Sequence, residues 1–301
     1  MSVVFSFRLK ECARPEETGA IVDESGFSLK GNNGSTILLI HGLTGTPNEM
    51  KFLASFLNKK GYSIICPRLA WHGEPIRILK YAKWQDFYES VRSIFTSGPL
   101  ADTKEPVFVS GLSMGALLSL LLAHEFKGRI AGVSCLAPTL FYDGWNSPSS
   151  KFFLPFAYHT WLKYFAYFKE EPPYGIKNKA MQNRIHKYYG DAKLDDMDDV
   201  ALYGYPYFPV TMLYQLHLLV KYLTKRLPMM DFPVQMIQAK DDDMTSVKNS
   251  KFIYDRIKSQ MKEIVLLYDS YHIITADQER ETVGEKMDGF FSRILAQKTL
   301  A

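Results

Sequence analysis

The 301-residue sequence predicts an α/β fold: a mostly parallel central sheet flanked by helices, with an inserted, mainly helical cap. Three observations carry this. Apolar runs of strand length recur toward both ends of the chain. The early runs alternate with helical stretches through short links, the rhythm of βαβ units. That rhythm stops near Thr139 and resumes near Phe232, and the stretch between is dense in aromatics and broken by prolines. Residues 1–138 and 229–301 therefore read as one core, and 139–228 as the inserted cap.

In order along the chain, residues 3–7 and 26–30 have short strand character and no chemistry. Residues 35–40 are a buried strand by their continuous apolar run. Pro47 opens a helix to about Lys60, with Met50, Phe52, Leu53, Phe56 and Leu57 as its core face, and Gly61 stops it. Residues 62–66 form the next strand and 84–96 a helix. Strand 106–110 leads into an apolar helix through Ala123, and 130–137 is another buried strand.

Within the insertion, Phe141, Tyr142, Trp145, Phe152, Phe153 and Phe156 begin a run of aromatics that Pro148, Pro155, Pro172 and Pro173 interrupt. Residues 211–227 read as a helix with Met212, Leu213, Leu216, Leu219, Val220, Leu223 and Leu227 on one face. Most of these aromatics are expected to build the cap's own core, and a minority to line a pocket over the core. Residues 151–170 also carry an interfacial pattern, with Phe and Trp inward and Lys151, Lys163 and Lys169 at the rim. The acidic run Asp191, Asp195, Asp196, Asp198 and Asp199 reads as a solvated face, because its spacing fits no standard calcium loop. The core resumes with strand 232–238, helix 247–260, strand 263–268 and a last helix over 278–297.

Bulk properties narrow the function classes. A net charge of +4 without a dense Lys/Arg tract argues against nucleic acid as a partner, while weak attraction to an anionic membrane surface through the cap stays open. Three cysteines (Cys12, Cys66, Cys135) are too few for a disulfide framework, and Cys66 and Cys135 sit at the ends of apolar runs as small hydrophobes. No signal-peptide pattern or membrane-length apolar run is present, so a reducing, cytoplasmic setting is expected. No metal site and no cofactor are expected.

The chemistry centres on Gly111-Leu-Ser113-Met-Gly115, which follows a strand and opens a helix. This is G-x-S-x-G in the strand–turn–helix context that gives it meaning. The turn holds Ser113 in a strained conformation that lifts its hydroxyl clear of the sheet. Side chains at Gly111 and Gly115 would collide with the neighbouring strand and helix. An acyl-transfer site also needs two backbone N–H groups aimed at one oxygen. One belongs to the residue after the nucleophile, Met114. The second is assigned to Leu43, directly after His41-Gly42 at the end of an early strand. His41 is then structural, bonding backbone to hold its loop. His72 precedes the serine in a Gly/Pro-rich turn and reads as scaffolding.

A serine nucleophile needs a base, and the base needs an orienting carboxylate. His272 is the histidine directly after a late strand, downstream of Asp241-Asp242-Asp243. Any of these three aspartates could be the acid on this reading. The chain order Ser, Asp, His is that of the α/β-hydrolase fold.

Four segments carry a more specific resemblance: Leu39-Ile-His41-Gly42-Leu-Thr-Gly-Thr-Pro-Asn-Glu-Met50, Gly111-Leu-Ser113-Met-Gly115, Gln238-Ala-Lys-Asp-Asp242-Asp-Met-Thr, and Ser270-Tyr-His272-Ile-Ile-Thr-Ala-Asp-Gln-Glu279. The sequence resembles the α/β-hydrolase family of bacterial carboxylesterases and monoacylglycerol-lipase-like esterases. In that family the acid is followed two residues on by Met and three on by a β-branched residue, which picks Asp242. The resemblance implies a cofactor-free serine carboxylesterase acting on acyl esters. Two departures stand out: Trp71 before His72-Gly73, where the family usually has Gly, and Ala116 after Gly115, where a second Gly is common. Lysophospholipase, thioesterase, amidase and acyltransferase chemistry use the same triad, and a non-catalytic binding protein of this fold is the remaining alternative.

Overall fold

The computed structural model describes residues 2–5, 26–189 and 204–299. Cys12 and the acidic run at 191–199 lie outside them. The strands are β1 (Ser2–Phe5), β2 (Phe27–Leu29), β3 (Thr36–Ile40), β4 (Ser63–Cys66), β5 (Val107–Leu112), β6 (Ile130–Leu136), β7 (Ala166–Lys169), β8 (Tyr207–Pro209), β9 (Val234–Ala239) and β10 (Lys262–Leu267). The main sheet runs β10-β9-β6-β5-β3-β4-β2. Its pairs are parallel except β2 with β4. Strands β3, β5, β6 and β9 are buried along their whole length, whereas the edge strands β2 and β10 are mostly half-buried. Continuous apolar runs mark a sheet covered on both faces, which is how the strands were readable in sequence.

The helices are α1 (Lys51–Lys59), α2 (Ile76–Leu79), α3 (Trp84–Thr96), α4 (Met114–Glu125), α5 (Leu154–Tyr158), α6 (Lys179–Tyr189), α7 (Val210–Thr224), α8 (Lys248–Arg256) and α9 (Arg280–Thr299). Successive β3 side chains go to opposite faces of the sheet. Ile37 and Leu39 join α1 and α9 on one face, where Phe108 stacks on Phe291 at 4.2 Å. Leu38 and Ile40 join α3, α4 and α7 on the other. Helix α4 is buried from Met114 through Ala123, which explains why it is apolar all round instead of amphipathic.

Two features differ from the sequence reading. The N-terminal strand β1, read with the core, pairs antiparallel with β7, from Ser2 opposite Lys169 to Phe5 opposite Ala166. With β8 they form a separate three-stranded sheet, so the insertion is less purely helical than expected. The aromatic Ala166-Tyr-Phe-Lys169 segment favours a strand, and both its edges find partners. Helix α7 carries the expected apolar face and packs against α3, α4 and α5. Pro228 follows the end of α7, where Leu227–Met229 turns as a 3₁₀ segment. Among the described residues no helix is long and apolar enough to cross a membrane.

Candidate active site

Ser113 sits between β5 and α4 with φ 57° and ψ −115°, the left-handed side of backbone space that a serine adopts only under strain. A Cβ on Gly111 would lie 2.3 Å from the Gly115 carbonyl, and one on Gly115 would lie 2.3 Å from the Ile40 oxygen. Both glycines are thus required by close approach: the first turn of α4 presses on β5 and on the end of β3. Met114 is the first residue of α4, so its N–H has no carbonyl one turn back to bond.

Asp242 and His272 meet as a buried pair. Asp242 is buried in the turn after β9, where its Oδ1 accepts the N–H groups of Met244 (2.9 Å) and Thr245 (2.8 Å). Its Oδ2 accepts from Gln238 Nε2 at 2.7 Å and lies 2.9 Å from His272 Nδ1. These bonds place the proton on Nδ1 and leave Nε2 free to accept one. Burial alone would lower the His272 pKa; the charge and hydrogen bond of Asp242 outweigh it, and the net shift is upward from 6.5. The other two aspartates are elsewhere. Asp241 is exposed. Asp243 is buried and accepts the His272 N–H at 3.3 Å and the Gly175 N–H at 3.2 Å. Burial, then the charge of Asp242, pushes its carboxyl up to about 6.

Ser113 and His272 line the same cavity, but the serine hydroxyl is turned to Thr139 Oγ1 at 2.8 Å. The Ser113–His272 hydrogen bond is not made in this state. Closure needs a rotation of the Ser113 side chain, a looseness common in unliganded sites.

The loop after β3 is held from beneath. Buried His41 has its pKa lowered well below 6.5 by burial, then by His72. As a neutral ring it donates from Nδ1 to Gly42 O at 2.9 Å and accepts the Leu69 N–H on Nε2 at 3.1 Å. Buried His72 faces Leu43 O through Nε2 and is absent from the cavity wall. Leu43 itself lines the cavity, and among the described residues its N–H has no protein acceptor. Trp71 has φ 66°, a conformation glycine adopts freely, and its Nε1 donates to Asp86 Oδ2 at 3.2 Å.

Several site residues had no signal in the sequence. Glu49 lies under the loop, with Oε2 accepting the Gly42 N–H at 3.1 Å. Glu170, at the end of β7, lines the same cavity, and burial followed by the charges of Asp243 and Glu49 pushes it up to about 8. Asp277 accepts the N–H groups of Lys177 (2.7 Å) and Tyr271 (2.8 Å), tying the insertion to the His272 loop. Of these, Glu49 and Asp277 fell inside segments singled out by resemblance, and no residue pattern marked either.

The cavity wall is mostly apolar, with Tyr142, Tyr174, Ile176, Ile185, Tyr205 and Phe208 from the insertion facing Leu43, Leu112 and Ile273. Its void is about 60 Å³, well below the roughly 300–1,000 Å³ of a filled ligand site. A larger groove of about 820 Å³ beside β2 and α3 contains none of these residues. Among the described residues no group of three His, Cys, Asp or Glu side chains is arranged to hold a metal ion. Cys66 and Cys135 are buried free thiols.

The chain is 28% identical over 261 residues to a thermostable monoacylglycerol lipase of Bacillus sp. (strain H-257), covering 85% of this chain and 90% of that protein. It is 24% identical over 275 residues to a carboxylesterase of Bacillus subtilis (strain 168), covering 91% and 98%. Among solved structures, a metagenome-derived lipolytic enzyme superposes with a TM-score of 0.72 at 24% identity, over 89% of this chain and 97% of that one. A monoglyceride lipase from Saccharomyces cerevisiae superposes with 0.70 at 19% identity, over 94% and 99%. The family model described as serine aminopeptidase, S33, matches residues 31–279. The chain belongs to the serine aminopeptidase S33 family and has the α/β-hydrolase fold.

Proposed function

We propose that this protein is a serine carboxylesterase that hydrolyses acyl esters, with residues 139–228 acting as the cap over its site. The observation that carries the reading is the strained Ser113 sharing one apolar cavity with the buried His272–Asp242 pair. Ser113 attacks the ester carbonyl while His272 Nε2 takes its proton, and Asp242 stabilises the imidazolium. The oxyanion is held by the N–H groups of Leu43 and Met114 at the start of α4. His272 then returns the proton to the leaving alkoxide, and water repeats the sequence on the acyl-serine. The step requires no cofactor. The two Bacillus relatives, a monoacylglycerol lipase and a carboxylesterase, support an ester substrate, and the apolar wall supports an acyl group. The void as it stands does not hold a long chain, so long-chain esters require cap side chains to move. Lysophospholipase, thioesterase and acyl-transfer chemistry use the same groups and differ only in the leaving group or acceptor.

The test is turnover of p-nitrophenyl esters of increasing chain length by wild type and Ser113→Ala. Turnover by wild type that Ser113→Ala abolishes supports the reading. Absence of turnover in the wild type favours a binding protein, and turnover that survives in Ser113→Ala removes the nucleophile.

We also propose that the insertion meets an anionic lipid surface. Phe152, Phe153, Phe156 and Trp161 are 78%, 72%, 65% and 63% exposed. Residues 144–169 contain no Asp or Glu but include Lys151, Lys163 and Lys169. Aromatic side chains with a lysine rim fit the headgroup boundary of an anionic bilayer. Co-flotation with phosphatidylglycerol vesicles but not phosphatidylcholine vesicles, reduced in Phe152→Ser/Phe153→Ser, is the expected result. No flotation with either vesicle sinks it, as does a dimer that the double variant dissolves.

A further inference from the structure

One carboxyl beside the serine has no place in the triad. Glu49 belongs to the 3₁₀ turn Pro47–Met50 and is 8% exposed. A Cβ on Gly45 would lie 2.2–2.3 Å from its carboxyl atoms, so the loop at 42–45 closes directly over it. A Cβ on Gly42 would lie 3.6 Å from Glu49 Oε2 and 3.7 Å from Ser113 Cβ. Carboxyl, loop and nucleophile are therefore separated by little more than one backbone thickness.

The loop has four fixed points. Gly42 O accepts from His41, Leu43 O faces His72, and Thr44 O accepts the Tyr205 N–H at 3.0 Å. The fourth is the Gly42 N–H on Glu49. In a trans peptide N–H and C=O point in opposite directions. Drawing Gly42 O toward His41 therefore turns the Leu43 N–H away from His41. The preceding peptide is set by Glu49 alone among the described side chains. We infer that Glu49 is a positioning residue for the oxyanion loop: its carboxyl fixes the peptide from which the Leu43 N–H is aimed, and its charge acts on His272. This rests on the hydrolase reading above.

Glu49 and His272 line the same cavity, and the electrostatics give the second half its sign. Burial pushes Glu49 up to about 7, against the Gly42 N–H and the charge of His272, which pull it down. The groups coupled to it are His272 after β10, Glu170 after β7, Cys66 on β4 and Tyr189 on α6. His272 is the one cation among them. An ionised Glu49 favours the imidazolium, so removing that charge makes His272 easier to deprotonate.

The experiment compares wild type, Glu49→Gln, Glu49→Ala, Glu49→Met and Ser113→Ala by kcat and KM across pH, and by affinity for an arylboronic acid that forms a tetrahedral serine adduct. Glu49→Gln keeps an acceptor for Gly42; its kcat is expected within about threefold of wild type and its acidic limb at lower pH. Glu49→Ala is expected to lose kcat by about 10–100-fold with little change in KM, and boronate affinity falls in parallel. Glu49→Met fills the space without an acceptor and gives the same result where the alanine variant does not fold. Wild-type kcat and boronate affinity in Glu49→Met overturn the positioning role. An unmoved acidic limb in Glu49→Gln overturns the charge role. A wild type without esterase activity, or an active Ser113→Ala, would instead remove the hydrolase reading.

Discussion

The Ser113 hydroxyl and the Thr139 hydroxyl are 2.8 Å apart, and Thr139 Oγ1 also lies 3.3 Å from Ala137 O. Thr139 donates to that carbonyl, so Ser113 is the donor to Thr139. On the proposed mechanism the serine is thus parked on a neighbour instead of on His272. Thr139→Val removes the parking acceptor while keeping the side-chain shape. We expect kcat to stay within about threefold of wild type or to rise, because the bond must break before attack. The lost bond to Ala137 O costs about 1 kcal/mol of stability. Kinetics and thermal melting check both; a kcat loss beyond about tenfold would show that Thr139 takes part in the reaction.

Three adjacent aspartates make a sharp comparison. Asp242→Asn removes the carboxylate on His272 Nδ1 and, on the proposed mechanism, is expected to lower kcat by about 10⁴-fold, the loss a serine triad suffers without its acid. Asp241→Asn, on an exposed residue, is expected to leave kcat unchanged. Asp243→Asn keeps one acceptor for the His272 and Gly175 N–H groups and is expected to retain most activity. Equal losses in Asp242→Asn and Asp243→Asn would reassign the acid.

The pH dependence has two opposite readouts. The proposed mechanism needs neutral His272, whose pKa is raised, so kcat/KM is expected to climb through a midpoint above 6.5. Stability behaves differently. Glu170 is raised from 4.5 to about 8, so the folded state holds its proton over a range where the unfolded chain has lost it. Its contribution is therefore largest at low pH and declines as pH rises through that interval. His272, also raised, contributes in the same direction around its own shift. Glu170→Gln should flatten the fall of Tm between about pH 5 and 8, and an unchanged slope would discount Glu170 as a source of it.

Glycine substitutions test the packing of the elbow. Gly115→Ala sets a Cβ 2.3 Å from the Ile40 oxygen, an atom of the backbone that cannot swing aside. A stability loss of about 1–3 kcal/mol or more is expected, together with loss of activity. Gly289→Ala in α9 meets nothing within 4 Å and is expected to stabilise by about 0.5–1 kcal/mol through helix propensity. Thermal or denaturant unfolding of the two variants reads both, and a neutral Gly115→Ala would contradict the tight contact.

What the residues alone determined is whatever depends on near neighbours. The runs at 36–40, 107–112 and 130–136 are legible as buried strands because their largely apolar sequence is itself the local signature of a sheet covered on both faces. The elbow is legible because its glycines and serine act within five residues. On the residues alone Asp242 is one of three open aspartates, and the family resemblance picks it; in the structure its carboxylate accepts the N–H groups of Met244 and Thr245. Tertiary structure decided the rest. The pairing of Ser2–Phe5 with Ala166–Lys169 joins segments over 160 residues apart, and α7 could present its apolar face to the serine or to α3 and α4 with the same sequence. Which acid reaches which loop, as Glu49 does, and which hydroxyl holds Ser113 follow from distances across packed layers. Hydrogen bonds and desolvation act over a few ångströms in space, and spacing along the chain does not encode them.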